Sequence, residues 1–173
     1  MKYLLVILIS FMFFQPTNGQ SLSFEDLVNV LKMPVVNADD FLSLKGYKFT
    51  GKENMDGIAT ILYSYVIGKS QPTAKVVQKV IWDGRKTTQY YVCYITFDMD
   101  EYLGFRKLIV DDNYKRLDKD VSEEANYSNG SLDVTFKSKP LEGLTSYWIT
   151  VYPTMERSLV DIARELQKKS VNQ

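Results

Sequence analysis

The sequence predicts an α+β fold, an antiparallel sheet with helices packed on one face, and three observations carry that prediction. Hydrophobic periodicity is helical from Ser23 to Gly46 and alternates from Tyr47 onward. A second helical stretch, from Asp98 to Asn113, separates two sets of alternating runs. Asp83-Gly84 and Asn129-Gly130 each join alternating runs, as two-residue hairpin turns with positive φ at both positions do.

The chain opens with Lys2, an apolar run from Tyr3 to Phe14, and a polar exit, Gln15-Pro16-Thr17-Asn18-Gly19. That order is the order of a secretory signal peptide, here residues 1–19, cleaved before Gln20. The apolar run falls short of the roughly 17–25 residues that span a hydrocarbon core, so no stable membrane anchor is expected after cleavage. An uncleaved anchor or a buried N-terminal helix is the competing reading. Residues 20–173 then form a single α+β domain, with candidate half-repeats 20–97 and 98–153 and a C-terminal helix 154–170. The expected location is outside the cytoplasm, periplasmic or secreted, in a bacterium.

Within that domain Ser23 and Asp26 form an N-cap pair, and Phe24, Leu27, Val28 and Leu31 make one helical face that stops at Pro34. A shorter helix is expected to start at Asn37, to pack Phe41, Leu42 and Leu44, and to end at Gly46. Strands follow at Tyr47 to Lys52, Ile58 to Ile67, Lys75 to Trp82 and Thr87 to Phe97. The third helix presents Tyr102, Phe105 and Ile109, and further strands run Tyr114 to Asp118, Glu124 to Ser128, Ser131 to Ser138 and Thr145 to Tyr152. After Pro153-Thr154, the stripe Met155, Leu159, Ile162 and Leu166 opposes a charged face, and it docks either on the sheet or on a partner. Two stretches resemble each other: Asn37 to Phe41 leading to Gly46-Tyr47-Lys48, and Asp98 to Tyr102 leading to Asn113-Tyr114-Lys115. An internal duplication of a helix-plus-meander unit is one account of this, and chance similarity of short helices is the other.

Composition narrows the chemistry. Lys and Arg number 21 against 21 Asp and Glu, without the cationic excess that drives binding to nucleic acid. There is no histidine, which removes Ser-His-Asp and Cys-His catalysis, His-ligated zinc and a His general base. Cys93 is the single cysteine, so no internal disulfide forms, and within Tyr90 to Phe97 the alternation sets it with Tyr91, Ile95 and Phe97 on the expected core face. The acidic groups near Asp98, Asp111 and Asp118 lack the spacing of a calcium loop. Helix caps and solvated loops account for them. No cofactor or metal is implied, and no catalytic residue is identified.

The feature that points to function is aromatic. Tyr90, Tyr94, Trp148 and Tyr152 are the candidate binding residues, on strands that carry more amphipathic rings than a core of this size needs. Cross-strand packing within the sheet is the competing explanation for the same rings. Asn126-Tyr127-Ser128 and Asn129-Gly130-Ser131 match the glycosylation acceptor pattern, which in a bacterial protein marks only a polar hairpin.

The stretch Phe41-Leu42-Ser43-Leu44-Lys45-Gly46-Tyr47-Lys48-Phe49, with Thr60-Ile61-Leu62-Tyr63-Ser64-Tyr65, resembles uncharacterised small exported proteins of Bacteroidota. The resemblance covers about a quarter of the chain and implies a compartment and a phylum, with no catalytic residue to carry over. The helix and strand layout is similar to that of β-lactamase-inhibitor proteins and outer-membrane-assembly lipoproteins, which bind protein partners. The function these readings imply is a noncatalytic binding domain for another envelope or extracellular protein. The alternative is a small carboxylate-dependent hydrolase or cation-binding module.

Overall fold

The computed structural model describes residues 21–55, 60–68, 74–83, 88–118 and 124–154. Within them the fold is α+β, with helices α1 (Phe24–Lys32), α2 (Val35–Leu44) and α3 (Met99–Asp111). The strands are β1 (Lys48–Met55), β2 (Thr60–Ile67), β3 (Lys75–Asp83), β4 (Thr88–Thr96), β5 (Lys115–Arg116), β6 (Glu124–Ser128), β7 (Leu132–Leu141) and β8 (Leu144–Pro153). All eight form one antiparallel sheet in the order β1-β2-β3-β4-β8-β7-β6-β5. Two meanders therefore meet at their last strands, β4 and β8, from Val92↔Val151 to Thr96↔Tyr147. The expected signal peptide and the C-terminal stripe beyond Thr154 lie outside the described residues.

Local chemistry explains the helix ends. Ser23 and Asp26 form a reciprocal capping box, each side chain accepting from the other's backbone N–H at 3.1 and 2.8 Å. At Met33 the backbone turns extended because the residue before a proline is pushed out of the helical region. The second helix starts earlier than Asn37. Pro34 is its N-cap, without a side-chain cap, since a fixed φ of −56° already suits a helix start. Both α2 and α3 end in the same 6→1 and 5→2 hydrogen-bond pair. Tyr47 N–H donates to Leu42 O and Gly46 N–H to Ser43 O; in α3, Tyr114 donates to Ile109 O and Asn113 to Val110 O. Gly46 has φ 88° and Asn113 φ 63°, and the tyrosine after each is buried.

The turns correct the sequence reading. Asp83 pairs with Thr88, so 83–84 is not a two-residue turn, and residues 84–87 of that connection lie outside the described residues. At Asn129-Gly130 only Gly130 has positive φ, and the Asn129 side chain closes the loop by accepting from Ser131 and Leu132 N–H at 2.9 and 2.8 Å. The tight turn with two positive φ values sits instead at Glu142-Gly143 (51° and 81°), between paired Leu141 and Leu144. Its strands extend three residues beyond the Ser138 and one before the Thr145 expected from the sequence. Pro140 had hidden the continuation of β7.

All three helices pack on one face. Phe24, Leu27, Val30, Leu31, Ala38, Leu42, Tyr102, Phe105 and Ile109 cluster with Tyr65, Val77, Val92, Tyr94, Ile149, Val151, Val134 and Phe136. Those strand residues share one parity, because Tyr65↔Val77↔Tyr94↔Ile149↔Phe136 is a single row across five strands. The core face of β4 thus carries Val92 and Tyr94, opposite to the expectation that placed Cys93 and Ile95 there. Cys93 and Ile95 are buried as well, at 3 % and 6 % exposed, on the second face.

Candidate functional site

The four aromatic candidates divide between the two faces. Tyr94 is fully buried beneath the helices, its ring 5.7 Å from Phe105 and its hydroxyl donating to Glu101 at 2.9 Å. Tyr90 shares that face near the start of β4, 38 % exposed, with the Lys79 ammonium 5.8 Å from its ring. Trp148 and Tyr152 lie together on the second face, four residues apart along β8. Tyr94 is therefore a core residue, and only Trp148 and Tyr152 can contribute to a common surface.

Beneath the helices the sheet holds a polar network that sequence spacing does not reveal, because its members are far apart in the chain. Glu101, in the first turn of α3, accepts from Lys75 Nζ (2.8 Å), Tyr94 OH (2.9 Å) and the Ser21 hydroxyl through Oε1, and from Thr96 Oγ1 (2.8 Å) through Oε2. Burial pushes this carboxyl up, but the hydrogen bonds from Lys75, Ser21 and Thr96 outweigh it and hold it below its ordinary value. The Tyr47 hydroxyl is buried beside Tyr94, and burial raises its pKa. Nearby, Lys79 sends its ammonium from β3 into the end of α1, donating to the carbonyls of Val30, Leu31 and Met33 at 2.6, 3.1 and 2.7 Å. These are the orphan acceptors of a helix C-terminus, met here by a buried cation.

Every carboxylate in this network already has its donors. Three further carboxylates are engaged in the same way: Asp26 caps α1 and pairs with Lys45, Asp98 caps α3, and Asp118 receives the backbone and side chain of Asn126. Burial raises the Asp26 carboxyl, and the Ser23 and Lys45 contacts outweigh it, so Asp26 also sits below its usual range. Among the described residues no group of acidic or sulfur side chains is placed to hold a metal ion. Burial pushes the Cys93 thiol up to about 11, which leaves it protonated and unreactive at neutral pH. Asn126 is 8 % exposed, its side chain held by Asp118 and Thr135, so it offers no accessible glycan acceptor in the folded chain.

The second face is organised in rows. One row is apolar over four strands, Val66↔Val76↔Ile95↔Trp148, and ends in Lys137 paired with Glu124 at 3.0 Å. Cross-strand register on β3 and β4 continues the row through Val76↔Ile95. The next row is polar: Ser64, Gln78, Cys93, Thr150, Thr135 and Asn126. Trp148 is fixed on both sides, its Nε1 donating to Ser146 Oγ at 2.9 Å and its ring carrying Lys139 Nζ at 4.3 Å. Beyond it the β7–β8 hairpin carries Leu141 and Leu144 on the same face, each 40 % exposed. Along this face the pairs Lys137↔Trp148, Lys139↔Ser146 and Leu141↔Leu144 follow one another, so Lys139 and Ser146 stand between the tryptophan and the two leucines, and Lys137 is paired with Glu124. The leucines were missed in the sequence because the turn that presents them was missed.

No protein-family model matches the chain, and comparison with curated proteins and with solved structures finds no match. Among the described residues no helix is long and apolar enough to cross a membrane.

Proposed function

We propose that this chain is an exported, noncatalytic binding domain and that the Trp148 end of its second sheet face engages another protein of the envelope or exterior. The observation that carries the reading is the pair of half-exposed leucines at a type I′ hairpin tip, two cross-strand pairs along the same face from a tryptophan immobilised by Ser146 and Lys139. A fixed aromatic sharing a face with exposed aliphatic side chains loses little conformational entropy on association, which is the make-up of an interface anchor. Lys139, held over the Trp148 ring, favours a partner surface with acidic groups. Support also comes from Asp26 and Glu101, whose carboxyls are held below their ordinary values by their hydrogen-bond partners, where a general acid would have a raised one. Export rests on the sequence of residues 1–19 and on the resemblance to exported proteins of Bacteroidota.

The test is photo-crosslinking in the native host with a benzophenone amino acid at Leu144, and at Val36 on α2 as a control, 73 % exposed. A discrete partner adduct is expected from Leu144 and not from Val36, with the yield falling at least tenfold on adding Trp148→Ala. Equal adducts from both positions, or a yield indifferent to Trp148→Ala, would reject the reading.

A further inference from the structure

The turn between β6 and β7 holds reactive chemistry that the rest of the fold does not use. Asn129 is exposed there, and among the described residues it is the one asparagine followed by glycine. An asparagine amide is labile, and its nearest nucleophile is the backbone nitrogen of the next residue, whose attack on Cγ closes a five-membered ring without any bimolecular encounter. A side chain on that next residue crowds the attack, and glycine has none. A Cβ added at Gly130 would meet nothing within 4 Å, so the space beside the attacking nitrogen is open as well.

Two of the reacting groups already have partners suited to the reaction. Asn129 Oδ1, where negative charge collects as the ring closes, accepts from the Ser131 and Leu132 N–H groups at 2.9 and 2.8 Å. Donors at this range hold an oxyanion more strongly than the neutral amide oxygen of the resting turn. The proton that must leave, on Gly130 N, is donated to Ser128 Oγ at 3.1 Å. The turn is fixed from outside too: Asn129 N–H donates to Leu132 O at 3.1 Å, and Ser131 O accepts from Thr154 N–H at 2.9 Å.

We propose that Asn129-Gly130 is a self-modification site, at which the folded chain converts its own amide to a carboxylate. Gly130 N bonds to Asn129 Cγ and gives up its proton to water; the Cγ–Nδ2 bond breaks, and the amide nitrogen takes up a proton and leaves as ammonia. Water then opens the cyclic imide. Addition at Cγ gives aspartate in an unaltered backbone, and addition at the Asn129 main-chain carbonyl carbon gives isoaspartate, with one more carbon in the main chain. The net change is gain of one water and loss of one ammonia, with no oxidant or cofactor. Either product adds a negative charge to the turn. Aspartate keeps both acceptor bonds and makes them charge-assisted, whereas isoaspartate lengthens the connection that the Ser128↔Asp133 pair closes. Because loss of ammonia is not reversed, the extent of conversion records the age of the molecule. This goes beyond the binding reading and does not depend on it.

The test is incubation of the purified chain at pH 8.5, with peptide mass spectrometry reading amide loss residue by residue and Asn129→Asp as the reference for the aspartate product. Conversion at Asn129 is expected to run at least tenfold faster than at Asn54 or Asn113, and at least as fast in the native chain as in the chain unfolded in guanidinium chloride. Gly130→Ala is expected to slow it at least tenfold. The comparison of native with unfolded wild-type chain needs no variant, so strain in Gly130→Ala at a φ of 87° does not decide the outcome. A native chain that converts more slowly than the unfolded one shows a turn that protects its amide and overturns the proposal. Conversion spread evenly over the three asparagines, or Gly130→Ala converting at the wild-type rate, overturns it as well.

Discussion

Lys79 shows how one side chain can couple two layers of the fold. It is 3 % exposed, and its ammonium serves three carbonyls at the end of α1 that no backbone donor reaches. Lys79→Met keeps the aliphatic packing and strands those acceptors, an expected loss of about 2–4 kcal/mol in a urea titration. The same site sets a pH dependence. Burial pulls the Lys79 pKa down to about 8, below its unfolded value, so between pH 8 and 10 the unfolded chain binds more protons and stability rises with pH. Above about pH 10 the sign reverses, because burial raises Tyr65 to about 12 and raises Tyr47 and Tyr94 as well, so only the unfolded tyrosines ionise there. Urea midpoints measured from pH 7 to 11 should therefore climb and then fall for the wild type. The climb should be missing in Lys79→Met; its persistence there would assign the rise to another group.

At the scale of elements, the α2 and α3 ends make a controlled comparison. Both require a left-handed residue before a buried tyrosine, one using Gly46 and the other Asn113. A Cβ at Gly46 would meet Ile67 Cδ1 at 3.1 Å in addition to the strain of φ 88°. Gly46→Ala should cost about 1–2 kcal/mol, and Asn113→Gly should be neutral or mildly stabilising, both read from thermal or urea midpoints. An equal loss at the two sites would mean that the motif is not what terminates these helices. These ends were legible in the sequence, because capping and helix termination are local: Ser23, Asp26, Gly46 and Asn113 act on backbone within a few residues. The face of β4 was not legible. A central strand buried on both sides carries apolar residues at both parities, as Tyr90-Tyr91-Val92-Cys93-Tyr94-Ile95 does, and alternation then gives no direction. The Glu101 network was equally invisible, since Ser21, Lys75, Tyr94 and Thr96 converge only through the tertiary fold. Half of the aromatic site was misplaced for the same reason, and the leucine tip that completes the surviving half depends on a turn that Pro140 disguised.

Across the whole molecule the question is whether two meanders make one cooperative unit. Their only strand junction among the described residues is β4–β8, but the row Tyr65↔Val77↔Tyr94↔Ile149↔Phe136 carries the core through it without a gap. Tyr102 strengthens this from α3, stacking on Tyr147 at 4.8 Å and meeting Phe136 edge-on at 5.5 Å, while Phe105 of the same helix packs on Tyr94. A helix that belongs by sequence to the second meander thus grips the last strand of the first. Glu101 binds the same halves polarly, tying α3 to Lys75 on β3 and to Ser21 ahead of α1. Neither meander retains a complete core without the other, so unfolding should be two-state. Ile149, fully buried and paired with Tyr94 across the β4–β8 junction, is the sharpest probe. Ile149→Ala is expected to cost about 2–5 kcal/mol, with far-UV dichroism and tryptophan fluorescence shifting to the same lower urea midpoint. Two separated transitions, one holding near the wild-type midpoint, would show instead that the first meander and its helices stand alone and that the β4–β8 junction is a docking contact between independent halves.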